Sequence, residues 1–207
     1  MWLPIAVTVL TGYLLGNLNG AISVSNMLRD DVRNHGSGNA GLTNFVRNFG
    51  RASAIFVILI DVLKSVLACF VGMCCLESYG LAQEGAMIGA VAVSLGHDFP
   101  ALLGMKGGKG ILCGVSVAAV VDYRCALLIF GIFLVCVLLT RYVSLGSVLG
   151  ATAFAIFFGV MYVHKPVIMI GGIFLGVLAV FMHRGNIVRL CKGNERKLSF
   201  GKKEKSA

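Results

Sequence analysis

Charged residues are scarce in this chain: they make up 13% of its 207 residues, whereas apolar residues make up 57%. A soluble domain of this size carries nearer a quarter charged residues, so the composition excludes an ordinary soluble globular domain. The mean hydropathy is +0.88, and apolar runs of about 18 or more residues recur, each long enough to cross a bilayer core as a helix. Because these runs are continuous and do not alternate, they predict helices and not the strands of a membrane barrel.

Carboxylates are scarcer still, with 9 Asp and Glu against 18 Lys and Arg and a net charge of +9. No DxxD or similar acidic cluster is present to hold Mg²⁺ between carboxylate oxygens. The sequence therefore argues against a metal-dependent phosphotransferase, and we expect neither a metal site nor another cofactor. Any phosphate chemistry would have to depend on Lys, Arg and backbone N–H groups.

The cysteines form no CxxC pair and have no histidine nearby at the spacing of metal ligands. Most of them lie inside apolar runs, which is typical of small buried thiols. We therefore expect neither zinc sites nor disulfides from the seven residues Cys69, Cys74, Cys75, Cys113, Cys125, Cys136 and Cys191.

Seven apolar segments are predicted to form an all-α bundle of about seven transmembrane helices in one polytopic domain covering residues 1–207. The fourth segment is too short to cross alone as a straight helix of 1.5 Å per residue, so sequence length leaves six or seven crossings open. The predicted segments are 3–28, 52–76, 84–103, 111–121, 124–140, 145–162 and 165–182.

The cations favour seven crossings. With seven, all fifteen Lys and Arg of the loops 29–51, 104–110 and 141–144 and of the tail 183–207 lie on one side of the membrane. The positive-inside rule then places the N-terminus outside and the loops and tail in the cytoplasm. With six crossings these basic segments would be split between the two sides.

Small residues and one charged pair indicate how the helices pack. Glycines recur four residues apart at Gly12, Gly16 and Gly20, a spacing that allows close helix contact or, alternatively, marks a break beside a substrate groove. Asp61 and Lys64 are three residues apart, so they share a helix face and can neutralise each other. We expect this pair to brace the functional site without reacting. His97 is expected to brace the neighbouring glycine loop.

Three polar islands interrupt the apolar chain, each where an apolar run ends: residues 37–47, the glycine loop 106–110, and residues 183–189. Each combines cations with small or amide residues. Backbone N–H nests and helix N-termini with cations are suited to hold phosphate. In the first island, Ser37, Thr43 and Asn44 supply hydroxyl and amide groups, and Arg47 supplies a fork that matches phosphate oxygens.

The glycine loop is not a Walker A motif, because Leu103 stands where the first glycine should be and Gly110 follows Lys109. What remains is a glycine nest with Lys106 and Lys109, which predicts a phosphate site or, alternatively, a basic turn that contacts lipid headgroups. In the third island, His183, Asn186 and Arg189 follow a three-residue stride and would share one face of a helical continuation.

These islands, in this order and spacing, resemble the cytoplasmic motifs of the bacterial acyl-phosphate:glycerol-3-phosphate acyltransferases, the PlsY family. The resemblance covers nearly the whole chain and depends on the ordered set of short motifs. The set comprises Gly36-Ser37-Gly38-Asn39 with Thr43-Asn44 and Arg47, Asp61 with Lys64, Gly96-His97, Phe99-Pro100, Lys106 to Gly110, Arg141-Tyr142 with Ser144-Leu145-Gly146, and His183, Asn186-Ile187, Arg189-Leu190, Gly193 and Glu195.

The resemblance implies transfer of a fatty acyl group from acyl phosphate to the 1-hydroxyl of sn-glycerol 3-phosphate, giving 1-acyl-glycerol 3-phosphate and phosphate, the first step of phospholipid synthesis. It implies a multi-pass enzyme of the bacterial plasma membrane with a cytoplasmic active site. The two substrates and membrane lipids are its expected partners, with no nucleic acid. We expect a monomer that is coupled functionally to an enzyme forming acyl phosphate.

The resemblance also implies site residues. Catalytic roles are expected for Ser37, Lys109, His183 and Asn186. Our main hypothesis assigns Ser37, Arg47, Lys109 and the amides of Gly107 and Gly108 to glycerol 3-phosphate, and Ser144, His183 and Asn186 to acyl phosphate, with Lys106 serving either. The full set of predicted binding residues is Ser37, Asn39, Thr43, Asn44, Arg47, Lys106, Gly107, Gly108, Lys109, Gly110, Ser144, His183, Asn186, Arg189 and Glu195.

Several alternatives stay open from the sequence. The proton acceptor is either His183 or an oxygen of the donor phosphate. A thioester-dependent acyltransferase is disfavoured because no histidine has Asp five positions on. A transporter would carry polar residues at mid-membrane in several spans and often internal repeats, and neither is present. A lipid-binding scaffold with a basic tail is the third reading.

Overall fold

The computed structural model describes residues 1–198, so the predicted tail beyond residue 198, with Lys202, Lys203 and Lys205, lies outside the described residues. The described chain is all-helical, as the sequence predicted. Its ten α-helices are α1 (Trp2–Asn17), α2 (Gly20–Met27), α3 (Leu42–Phe49), α4 (Ala54–Glu77), α5 (Ala82–Asp98), α6 (Ile111–Val121), α7 (Tyr123–Thr140), α8 (Val143–Met161), α9 (Pro166–Met182) and α10 (Arg184–Cys191). Two short 3-10 turns cover Val32–Asn34 and Ala101–Leu103.

Five helical segments within residues 1–198 are long and apolar enough to cross a membrane, and a sixth is counted if α9 and α10 form one bent span. The five are Trp2–Met27, Ala54–Glu77, Ala82–Leu103, Tyr123–Thr140 and Val143–Met161. Helix α6 has 11 residues, which is about half the length that a straight crossing needs. The structure therefore shows a multi-pass membrane protein, and the count of seven crossings stays a prediction.

The predicted first span, 3–28, is not one continuous helix. The structure interrupts it at Leu18 and Asn19, between α1 and α2. The Asn19 side chain begins α2 by accepting a hydrogen bond from the Ile22 backbone N–H at 3.0 Å, and it donates to the Ala40 carbonyl at 3.1 Å. A short polar side chain that binds backbone groups locally competes with helix continuation, so the polar interruption fixes the loop after α2 as well as the break.

Helices α1 and α2 pack closely on α5 and α4 through their glycines. A Cβ added at Gly12 would lie 2.8 Å from Ala92 Cβ in α5, and one added at Gly20 would lie 2.7 Å from the Val57 carbonyl oxygen in α4. Backbones this close leave no room for a side chain. The close-packing interpretation of these glycines is confirmed.

Helices α6 to α9 are held together at the end farthest from the three islands by a polar cluster. Tyr162 donates to Asp122 Oδ2 at 2.9 Å, Gln83 donates to Tyr162 Oη at 3.0 Å, and Lys165 donates to Gln83 Oε1 at 2.8 Å. Asp122 also begins α7 by accepting from the Arg124 N–H at 2.9 Å. These contacts join α5, α6, α7, α8 and α9 at the same end of the bundle.

Candidate active site

One cavity of about 560 Å³ lies between α6, α7, α8 and α9 and opens towards the three islands. Four cations and one carboxylate line its mouth: Arg47, Lys109, Arg189, Arg196 and Glu195. Most of the predicted site residues also line it, namely Ser37, Asn39, Thr43, Asn44, Gly110, Ser144, His183 and Asn186. Segments more than a hundred residues apart in the chain thus meet in one cationic mouth.

In the first island, Asn44 organises the loop that carries Ser37. Its amide nitrogen donates to the carbonyls of Val32, His35 and Asn39 at 3.0 to 3.1 Å, and its Oδ1 accepts from the Ser37 backbone N–H at 3.1 Å. Gly36 and Gly38 have φ of +61° and +69°, which glycine adopts readily. The Asn44 side chain is 4% exposed, so it holds the loop from beneath while Ser37 faces the cavity.

The predicted role of the Gly107 and Gly108 amides is wrong. The Gly107 N–H donates to the Asp98 carbonyl at 3.2 Å and the Gly108 N–H to the His97 carbonyl at 3.1 Å, so neither is free for phosphate. Of residues 1–198, the cavity-lining set includes Lys109 and Gly110 but omits Lys106, Gly107 and Gly108. The end of α5 has orphan carbonyls that need donors, and the glycine loop supplies them.

The glycine loop is therefore a support for Lys109. A Cβ at Gly108 would clash with His97 Nε2, so the loop lies directly against the imidazole ring. On the first-island side, Arg33 donates to the Leu103 carbonyl at 2.6 Å and pairs with Asp31 at 2.8 Å. His97 and Arg33 together fix the loop relative to α5 and the first island.

Beneath the loop lies a buried charged network. Lys64 Nζ is 2.7 Å from Asp61 Oδ1, 2.8 Å from His97 Nδ1 and 2.8 Å from the Leu18 carbonyl oxygen, and Asp61 accepts from the Gly20 N–H at 3.1 Å. The predicted ion pair is confirmed. Ligand atoms of Asp61, His97 and Cys113 lie within 4.8 Å of one another, but the Lys64 ammonium already contacts two of the three residues, which identifies a structural site.

The third island forms the opposite wall of the mouth. Helix α10 is bent 53° from α9, with His183 at the junction and Asn186 and Arg189 on α10, so the predicted common face exists on a bent continuation. Lys109 Nζ donates to Asn186 Oδ1, Asn186 Nδ2 donates to Glu195 Oε1 at 2.9 Å, and Arg189 donates to Glu195 Oε2 at 2.7 Å. Glu195 thus forms an ion pair with Arg189 and orients Asn186.

Lys109 and His183, two site groups outside the membrane-spanning helices, have strongly lowered pKa values. Burial, reinforced by the positive charge of Arg189, lowers the pKa of Lys109 to about 8. Burial lowers the pKa of His183, just beyond the last residue of α9, to about 4. His183 is therefore neutral at pH 7. Its Nδ1–H donates to the Ala179 carbonyl at 2.8 Å, which leaves the Nε2 lone pair for a ligand.

Ser144 and the C-terminal segment differ from expectation. Ser144 was predicted in the loop 141–144 but lies in the first turn of α8. Its Oγ is buried beside the Glu195 carboxylate and makes no other hydrogen bond among residues 1–198. After α10 the chain folds back over the mouth: Arg47 donates to the Arg196 carbonyl at 3.4 Å, and the Leu198 N–H donates to the Arg141 carbonyl at 2.7 Å. Sequence reasoning missed Asn194 and Arg196 as lining residues, because no spacing rule places a tail over a distant loop.

Below the polar mouth the cavity becomes apolar. Its walls are formed by residues of α6 to α9, including Leu112, Val115, Phe130, Phe133, Leu178 and Ala179. No pattern in the sequence separated these positions from the lipid-facing ones, because both are apolar on helices of this kind. Fold and site together define a multi-pass membrane protein whose cavity joins a cationic mouth to an apolar interior.

The comparisons with known proteins agree with this class. The family model described as Glycerol-3-phosphate acyltransferase matches residues 6–193, and the chain belongs to that family. Curated glycerol-3-phosphate acyltransferases from Thermoanaerobacter sp. (strain X514) and Finegoldia magna are each 39% identical, over 93% and 90% of this chain and 94% and 92% of their own.

Solved structures extend the likeness to the fold. The crystal structure of PlsY (YgiH), an integral membrane glycerol 3-phosphate acyltransferase, in its glycerol 3-phosphate form matches with a TM-score of 0.84 and 31% identity over 94% of this chain and 96% of that one. Its lysophosphatidic acid form matches with a TM-score of 0.81 and 30% identity, over 94% and 95% of the two chains. The resemblance inferred from the motifs is confirmed.

Proposed function

We propose that this protein transfers a fatty acyl group from acyl phosphate to the 1-hydroxyl of sn-glycerol 3-phosphate. The observation that carries the proposal is a cavity in which a mouth lined by four cations continues into an apolar interior. Both substrates carry phosphate, and two unit charges at 4 Å repel by about 4 kcal/mol at an effective dielectric near 20. Cations from several segments offset that repulsion, while the apolar interior accommodates the acyl chain. The likeness to a structure in a glycerol 3-phosphate form supports the acceptor.

The arrangement of side chains supports separate binding sites for the two phosphates in the mouth. Arg47, Lys109 and Ser37 converge from the first island and the glycine loop and would bind the acceptor phosphate. Ser144 Oγ, which lies buried in the cavity wall beside Glu195, would donate to the acyl phosphate. Both polar atoms of Asn186 are bonded to Lys109 and Glu195, so we assign Asn186 to orienting Lys109 and no longer to direct donor binding.

In the reaction, the hydroxyl oxygen at carbon 1 attacks the acyl carbonyl, forming the ester bond as the bond from acyl carbon to phosphate oxygen breaks. The hydroxyl proton leaves with the phosphate, so that acyl phosphate dianion and alcohol become ester and hydrogen phosphate. A phosphate oxygen, with a second pKa near 6, is a better proton acceptor than His183, whose pKa is lowered to about 4. His183 Nε2 would then accept a hydrogen bond from the other hydroxyl of glycerol 3-phosphate, at carbon 2, and so hold the acceptor in position for attack.

The topology belongs to the same proposal. Seven crossings, with the N-terminus outside and the mouth in the cytoplasm of a bacterial plasma membrane, place Arg47, Lys109 and Arg189 on the side favoured for cations. Helix α6 is too short to cross the membrane alone. The glycine loop at one end and Asp122 at the other would complete the crossing. With the mouth in the cytoplasm, soluble glycerol 3-phosphate could reach the site directly.

The experiment is an assay of purified protein in mixed micelles with palmitoyl phosphate, monitoring phosphate release and lipid product. Release that requires glycerol 3-phosphate and matches the product formed supports transfer. Phosphate release without the acceptor would indicate hydrolysis, and equal transfer from palmitoyl-coenzyme A would contradict the acyl phosphate donor. Uptake of labelled glycerol phosphate into sealed vesicles without any donor would instead support a transporter.

A further inference from the structure

Gly114 is a glycine that helix packing does not require. It is the fourth residue of α6, lines the cavity, and an added Cβ would have no atom of residues 1–198 within 4 Å. At Gly12 and Gly20, by contrast, an added Cβ would meet atoms of a neighbouring helix at 2.8 and 2.7 Å. Gly114 therefore leaves a space in the cavity wall and makes no close contact between helices.

The cavity also has a defined floor. Ile129, Phe154 and Leu175 line it, and all three belong to the buried core, with exposures of 5%, 4% and 7%. Phe154 lies eleven positions along α8 from Val143, the first residue of the helix, which corresponds to a depth of about 16 Å at 1.5 Å per residue. The Phe154 ring packs at a tilt of 46° against Phe158, with ring centroids 4.8 Å apart, so further core residues lie behind it.

The far end of the helices is fixed. The cluster of Asp122, Tyr162, Gln83 and Lys165 joins α5 to α9 beyond the floor. Helices tied at this end and separated at the other form a groove whose deep end Phe154 closes, so a chain that lies between the helices from the mouth inwards meets the Phe154 ring. A groove closed at its deep end limits how much of a long chain it can bury.

We propose that Gly114 and Phe154 are specificity-determining residues that set which acyl chain lengths this enzyme accepts. Gly114 provides width one helical turn below the glycine loop, and Phe154 closes the pocket. The inference rests on the proposed function for the identity of the occupant, the fatty acyl chain. Each methylene that the pocket buries is worth about fourfold in kcat/KM, so kcat/KM should rise with chain length until the floor is reached.

The test is the chain-length profile of kcat/KM for octanoyl, decanoyl, lauroyl, myristoyl, palmitoyl and stearoyl phosphate in wild type and variants. Gly114→Leu adds four carbon atoms to the wall and should move the optimum to a shorter chain, with the ratio of palmitoyl to octanoyl use falling by about tenfold or more. Phe154→Leu should raise stearoyl relative to palmitoyl use by about fourfold. KM for glycerol 3-phosphate should stay unchanged in both.

Gly131→Leu is the matched control, because Gly131 is also a helical glycine with no atom of residues 1–198 within 4 Å of an added Cβ, yet it is outside the cavity-lining set of the described chain. Its profile should match wild type. An unshifted optimum in both Gly114→Leu and Phe154→Leu, or an equal loss at every chain length, would overturn the inference. A wild type inactive with every acyl phosphate would instead overturn the proposed function, so the two failures are distinguishable.

Discussion

Lys64 Nζ lies 2.8 Å from His97 Nδ1, and this contact connects the charged pair of α4 to the support of the glycine loop. The Lys64 and His97 side chains are 2% and 5% exposed, so both are removed from solvent. Because the ammonium donates to Nδ1, the ring carries its proton on Nε2, the atom that faces Gly108. The position of Lys109 at the cavity mouth therefore depends on the Lys64 charge in α4, through the contacts of His97 with Lys64 and with Gly108.

Lys64→Met is expected to destabilise the protein by about 3–5 kcal/mol, because it leaves the Asp61 carboxylate buried without its partner. The double variant Asp61→Asn/Lys64→Met removes both charges and should recover part of that loss. Thermal unfolding of the purified protein in detergent, followed by circular dichroism, measures both. A single variant as stable as wild type would show that the pair does not brace the fold.

The sequence predicted local pairings and missed distant ones. Asp61 and Lys64 share a face at three-residue spacing, so their pairing could be read directly from the chain. The link from Lys64 to His97 joins residues 33 positions apart, and its existence depends on how α4 packs on α5. The Gly107 and Gly108 amides were misassigned for the same reason, because the carbonyls that take them become neighbours only when the loop folds back on α5. The apolar cavity walls could not be separated from lipid-facing surfaces by hydropathy.

Arg47→Ala is expected to raise KM for glycerol 3-phosphate by about tenfold to a hundredfold. This is the change in affinity that corresponds to the free energy of a hydrogen bond to a charged group. Arg51→Ala is the matched control, since Arg51 is exposed and lies outside the cavity-lining set of the described chain. Steady-state kinetics with varied acceptor at a fixed donor concentration measure the change. Equal effects in the two variants would attribute the loss to general surface charge.

Acceptor use should decline as pH rises through about 8. Burial lowers the pKa of Lys109 to about 8, so the ammonium is present below that pH and is lost above it, while phosphate, with its second pKa near 6, is already a dianion. The pH profile of kcat/KM for glycerol 3-phosphate should therefore have an alkaline limb. In Lys109→Arg the guanidinium stays charged, so this limb should disappear, whatever the absolute rate. A limb retained unchanged in Lys109→Arg would assign it to another group.

His183→Gln separates the two proton acceptors left open by the sequence. If a donor phosphate oxygen takes the proton, the variant should keep kcat within about tenfold of wild type at pH 7, because the amide oxygen can still accept a hydrogen bond from the carbon 2 hydroxyl and hold the acceptor. Loss of a general base would instead lower kcat by about a hundredfold to ten-thousandfold. The acid limb of the pH profile distinguishes them further: it should follow phosphate near pH 6 and persist in the variant.

The topology predicts opposite labelling of two exposed turns. In a background with the exposed Cys74 and Cys191 changed to serine, Ser78→Cys lies at the end of α4 away from the cavity mouth, and Lys106→Cys lies in the glycine loop; both positions are exposed. With seven crossings, a membrane-impermeant maleimide should label Ser78→Cys on intact bacterial cells and Lys106→Cys only after the cells are opened. These two sites flank α5, so their labelling tests whether that helix crosses and in which direction. Labelling Leu3→Cys in the same way tests the first span, because the N-terminus should then react from outside. Reaction of Lys106→Cys on intact cells would place the mouth on the wrong side for a soluble acceptor.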